Sequence, residues 1–231
     1  MSARFLGGVL LALGWAAPAA AQPPVSPLDR LVDVSIRLFT TLDDCTVPRT
    51  VFHLAHRFEI VAGIEYLQSP CAKFGSRRGP GGPFVDLYGL TVRDALAKVL
   101  AIDARYRMFE YDGVVVVRPV QALTDRKNVL NFTTSSFVLV DATLGMALDS
   151  VLSGVLGEPR SEYDRFGTST EQGARRFSVK TGAVSVTTAL DAFVGTQGAA
   201  IWEVRAGDIG RLVPFYTFDG AGMGASRRGL Q

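Results

Sequence analysis

Histidine is the side chain best suited to move protons or hold a metal near neutral pH, and this chain of 231 residues has two, His53 and His56. Three apart on a helix, they could share a zinc ion, but a closed site needs a further Cys, His or carboxylate. Only Glu59 or a distant acid is available. Val47, Val51, Leu54 and Phe58 take the apolar positions of the same stretch, so both histidines lean to the other side and are read as exposed or partly buried. Asp43 and Asp44, and likewise Asp141, stand just before helical patterns, where a carboxylate complements the positive helix N-terminus. Gly79-Pro80-Gly81-Gly82 lacks the Lys and the following helix that a phosphate cradle requires, and no G-x-S-x-G or H-E-x-x-H is present. We therefore assign no catalytic, cofactor-binding or metal-binding residue and no cofactor, and read the chain as non-enzymatic. A hydrolase or metal enzyme assembled from distant residues is a third class that sequence alone leaves open.

The two cysteines, Cys45 and Cys71, are expected to pair. A helix over 46–59 would be about 20 Å long at 1.5 Å per residue. A turn at Ala62-Gly63 and a returning strand over 64–68 cover a similar distance at about 3.3 Å per residue. Cys71 thus comes back to the end where Cys45 sits. Closing a loop of about 25 residues stabilises by roughly 3 kcal/mol, chiefly by restricting the unfolded chain. A redox or metal role would want C-x-x-C spacing, which is missing.

Aromatic residues point to binding. Tyr163, Arg165 and Phe166, in a stretch rich in Gly, Ser, Thr and charge over 158–174, are of types common at interface anchors, or they fold back over a sheet. Trp202 sits in Ala200-Ile201-Trp202-Glu203-Val204 and either packs against the preceding helix or meets a partner. These four are the candidate partner-binding residues.

Charge and targeting narrow the partner. Residues 1–21 combine Arg4, an apolar run over 5–17, Pro18 and Ala19-Ala20-Ala21, the pattern of a cleaved signal peptide. The mature chain is expected in the periplasm, without a membrane span. Removing Arg4 from 24 basic residues leaves 23 against 22 acidic ones, so nothing calls for nucleic acid; Arg77-Arg78, Arg175-Arg176 and Arg227-Arg228 read as solvated loop charge.

The elements that position all this come from a phrase repeated four times, beginning at Thr46, Thr91, Thr143 and Ser185. Ser or Thr caps a helix start, and apolar residues at +1, +4, +5, +8 and +9 line one face. The second copy offers Val92, Ala95, Leu96, Val99 and Leu100; the third, Leu144, Ala147, Leu148, Val151 and Leu152; the fourth, Val186, Ala189, Leu190, Phe193 and Val194. Copies 45, 52 and 42 residues apart leave room for one helix and two or three strands each.

Strands are predicted over the alternating stretch 32–38, then 64–68 and 84–88. A hairpin of 106–111 and 114–117 turns on Asp112-Gly113, and further strands cover 136–140, 176–180, 200–204 and 212–218. Pro214 places the last at an edge or bulge. The fold class is therefore α+β, as two tandem split-βαβ domains, each a sheet with two helices on one face. The boundaries are signal peptide 1–21, disordered lead-in 22–30, first domain 31–121, linker 122–130, second domain 131–219 and disordered tail 220–231.

From 84 to 119 the chain resembles the short N-terminal domain shared by secretins and TonB-dependent receptors. A strand feeds Thr91-Val92-Arg93-Asp94-Ala95-Leu96, a helix continues, and a hairpin ends in Val114-Val115-Val116-Val117-Arg118-Pro119. Residues 34–67 look like the first half of the same domain, and 131–218 like a diverged further copy. The resemblance implies an exported adaptor that docks envelope proteins, such as those of a secretion or outer-membrane transport system, through sheet edges and helix faces. With nothing after residue 231, it is expected to stand alone rather than ahead of a barrel or ring. The alternative is a periplasmic small-ligand-binding or sensing protein using the cleft between the two modules.

Overall fold

The computed structural model describes residues 26–33, 37–39, 46–67, 84–156, 176–198, 200–205 and 215–217. Its helices are α1 (Thr46–Phe58), α2 (Val92–Leu100), the short α3 (Val120–Thr124), α4 (Leu144–Leu156) and α5 (Val186–Gln197). All but α3 are the four repeated phrases. Thr91 Oγ1 accepts a hydrogen bond from the Asp94 N–H at 3.1 Å, and Ser185 Oγ accepts from that of Thr188 at the same distance. Thr143 Oγ1 caps α4 more loosely, with the Met146 N–H at 3.3 Å. The expected apolar positions are buried in every copy except Leu100, which is partly exposed at the end of α2.

The strands are β1 (Arg37–Phe39), β2 (Ala62–Tyr66), β3 (Phe84–Asp86), β4 (Tyr106–Tyr111), β5 (Val114–Pro119), β6 (Phe137–Ala142), β7 (Phe177–Thr181), β8 (Ala200–Arg205) and β9 (Phe215–Thr217). The protein is mixed α+β, and strands and helices alternate as the sequence predicts. Asp112 and Gly113 take φ of 48° and 79°, the left-handed pair that a two-residue hairpin turn of matching twist requires. Tyr106 to Tyr111 accordingly pair with Pro119 to Val114.

The sheets divide differently from the expectation of one per half. A five-stranded sheet runs β4-β5-β2-β8-β9, while β1 with β3 and β6 with β7 form two-stranded sheets. β2 of the first half and β8 of the second are parallel neighbours, with Ala62 opposite Ile201 and Tyr66 opposite Arg205. The helix pairs therefore belong to opposite faces of one shared sheet. Ala62, Ile64, Tyr66, Val115, Val117 and Ile201 pack with α1 and α2; Val114, Val116, Ala200, Trp202 and Val204 pack with α4 and α5. Burial on both faces explains why β5 is an unbroken valine run rather than an alternating one.

Close approach at the seam depends on Gly63. A Cβ there would lie 2.1 Å from Trp202 Cε2, so the indole lies flush over bare backbone.

The repetition also reaches the start of each half. A short 3-10 turn, Pro27–Asp29 or Val129–Asn131, is capped by Ser26 or Asn128. The chain then makes an antiparallel bridge to the cap of the second helix of its half, Leu31 with Thr91 and Thr133 with Ser185. The expected linker 122–130 is thus partly structured, ending α3 and entering this second turn.

Outside the described residues lie Asp43, Asp44, Cys45, Cys71, the Gly79 to Gly82 motif, Tyr163, Arg165, Phe166, Pro214, and the expected signal peptide and tail.

Candidate functional site

Two places in the fold bring chemistry together, the seam between the halves and the free margin of β4. At the seam, β5 ends in Arg118, which is 5% exposed, and β2 carries Glu65, which is 0% exposed. Arg118 Nε donates to Glu65 Oε2 at 2.7 Å. Its other nitrogens donate to Thr187 Oγ1 in the first turn of α5 and to Asn131 Oδ1, both at 3.0 Å. Asn128 Nδ2 donates to Glu65 Oε1 at 2.6 Å. Thr187 passes its own proton to the Leu130 carbonyl at 2.9 Å, and Asn131 Nδ2 donates to the Ala122 carbonyl at 2.7 Å. Every charged group here is bonded to protein and turned away from water, so the arrangement clamps linker, sheet and helix together.

On the other side of the seam Tyr66 Oη donates to Glu203 Oε1 at 2.6 Å. Trp202, expected as either a core or a partner-binding residue, is core. It is 0% exposed, and its Nε1 donates to Asp191 Oδ1 at 2.9 Å. Burial pushes the Asp191 carboxyl up to about 7, against the opposing pull of the Trp202 hydrogen bond and of Arg118. β2 and β8 are hydrogen-bonded neighbours along the seam.

The histidines lie on α1, His53 exposed and His56 half-buried, with the Phe52 ring against both. Burial lowers the pKa of each, and Arg49 adds to the effect at His53. Among the described residues no three His, Cys, Asp or Glu gather as a metal site, and no helix is long and apolar enough to cross a membrane. Asp141, expected to complement a helix N-terminus, takes a positive φ of 54° at an irregularity in the β6–β7 pairing and accepts from Arg176 Nη1 at 3.1 Å.

β4 stands at one end of the five-stranded order, with one long side unpaired among the described residues. Its register assigns each residue a direction. Val120 N–H donates to the Arg105 carbonyl at 2.7 Å, which makes that pair a hydrogen-bonded one. Alternation then puts Arg107, Phe109 and Tyr111 in bonded pairs with Arg118, Val116 and Val114. The N–H and C=O groups of Met108 and Glu110 therefore point away from the sheet.

Side chains alternate too. Phe109 and Tyr111 share the face of Val116 and Val114, but among the described residues no helix covers them, and they are 43% and 64% exposed. On the opposite face Met108 packs against the first core. Glu110 there pairs with Arg93 of α2, whose pKa is raised chiefly by that hydrogen bond, and Arg93 also reaches Asp29 at 3.8 Å. Sequence reasoning identified this hairpin but not Phe109 and Tyr111 as exposed. The signal available was that β4 alternates Phe109 and Tyr111 with Glu110, opposite the unbroken valine run of β5.

No protein-family model, curated protein or solved structure matches the chain.

Proposed function

We propose that this chain is an exported, periplasmic, non-enzymatic docking module that receives an extended segment of an envelope protein as an added strand along β4. The single observation that carries this reading is the outward N–H and C=O groups of Met108 and Glu110, flanked by exposed Phe109 and Tyr111. Unpaired backbone on an edge strand is a template for a further strand, and the alternate side chains select which one. The apolar stretch and small residues of 1–21 and the paired cysteines Cys45 and Cys71 belong to the same reading, because disulfides persist in oxidising compartments. The resemblance to secretin and TonB-receptor N-terminal domains supplies the partner class, a secretion or outer-membrane transport component.

Glu110→Pro is the discriminating variant. Proline lacks the outward N–H that an added strand would use, while the bonds from β4 to β5 go through its neighbours. Immobilised wild-type chain and a Glu110→Ala control should both retain an envelope protein from an outer-envelope extract, and Glu110→Pro should lose it with an unchanged thermal midpoint. Equal retention by the proline variant would remove β4 from the interaction.

A further inference from the structure

We infer that, in the chain by itself, the strand added to β4 is the β4 of a second copy, giving a two-fold dimer with one continuous ten-stranded sheet. This rests on the strand-addition reading above: the copy occupies the same edge, and an envelope segment would take its place there. One symmetric antiparallel register bonds the outward groups of Met108 to those of Glu110 in both directions. It is centred on Phe109, with Met108 opposite Glu110 of the copy and Glu110 opposite its Met108. Both of those become hydrogen-bonded pairs, making four N–H···O bonds. Phe109 then meets its own equivalent in a non-hydrogen-bonded pair, the arrangement in which side chains come closest. On the same face Arg107 falls opposite Tyr111 of the copy, twice over. A guanidinium over a tyrosine ring is attractive, and both residues are exposed.

Charge on the opposite face permits the approach. The two Glu110 carboxylates would lie diagonally across the new pair, where like charges repel, but each is already paired with Arg93 of its own α2. An isologous contact of this kind closes on itself, so it uses up the β4 margin of each copy and does not by itself grow into a filament. It also covers Phe109 and Tyr111, which the helices leave bare.

The experiment is sedimentation equilibrium on the full chain across a hundredfold concentration range, with cysteine cross-linking under mild oxidation. Wild type should reach twice the monomer mass, and Glu110→Pro should weaken association at least tenfold. Phe109→Cys should cross-link to itself well above the wild-type background, whereas Arg107→Cys and Tyr111→Cys should cross-link only when mixed. A wild-type chain that stays monomeric throughout, a dimer that Glu110→Pro leaves intact, or self-cross-linking at 107 or 111 as strong as at 109 would overturn the inference. The two readings fail separately. A monomeric wild type that still loses its envelope partner in Glu110→Pro overturns the second copy and keeps strand addition. A lost dimer with unchanged capture supports the second copy and removes β4 from the envelope interaction.

Discussion

Asp191 shows what one side chain does once it is enclosed. Its carboxylate accepts from Trp202 Nε1, yet burial outweighs that bond and raises the carboxyl to about 7 from an ordinary 3.8. A group that holds its proton more tightly when folded contributes stability that is complete below its unfolded pKa and lost as pH rises through its folded one. The Asp191 contribution should therefore decline between about pH 4 and pH 7. His53 and His56, whose pKa values are lowered by burial, act in the opposite sense over the upper part of that window. The measurement is accordingly the difference in urea midpoint between wild type and Asp191→Asn, whose amide oxygen still accepts from Trp202. That difference should move in the variant's favour as pH rises from 4 to 7; a constant difference would show that Asp191 does not titrate there.

At the scale of elements, α2, α4 and α5 follow from a capping hydroxyl and a one-sided apolar stripe, and α1 shares the stripe. Thr91→Ala and Ser185→Ala should each cost about 1 kcal/mol of unfolding free energy by denaturant titration, the usual worth of an N-cap. Thr143→Ala should cost less, because its bond to the Met146 N–H is longer. Equal losses at all three would mean that cap geometry is not what distinguishes them. The helices were legible because their signal is local: hydroxyl, spacing and stripe lie within a dozen residues. The Asp112-Gly113 hairpin was legible for the same reason. The Arg176 partner of Asp141 was not legible, because the irregular β6–β7 pairing brings together residues 35 apart in the chain.

For the molecule as a whole the decisive feature is the seam. The Glu65–Arg118 pair joins two strands of the first half, and through Thr187, Asn128 and Asn131 it ties them to the second. Such a pair is not a net gain over well-packed apolar residues, but removing one member leaves the other charged and buried. Arg118→Ala should cost about 3–5 kcal/mol, read as a lower denaturant midpoint with unchanged slope in a single transition. Two separated transitions would show that the halves unfold independently and that the shared sheet does not couple them. The sheet also determines which surfaces are available. It consumes the outer side of β2, which an isolated first domain would have exposed, and leaves β4 at the margin.

The amino-acid sequence determined the helices, their buried faces, the hairpin and the mixed α+β class, because each rests on contacts between residues close in the chain. Only the tertiary structure decided that the halves share a sheet, that Trp202 lies under it, and that Phe109 and Tyr111 remain outside. Those outcomes depend on Gly63 meeting Trp202 and Tyr66 meeting Glu203, pairs more than 130 residues apart. No local periodicity records a partner at that separation; a central strand is identified by what comes to lie on either side of it.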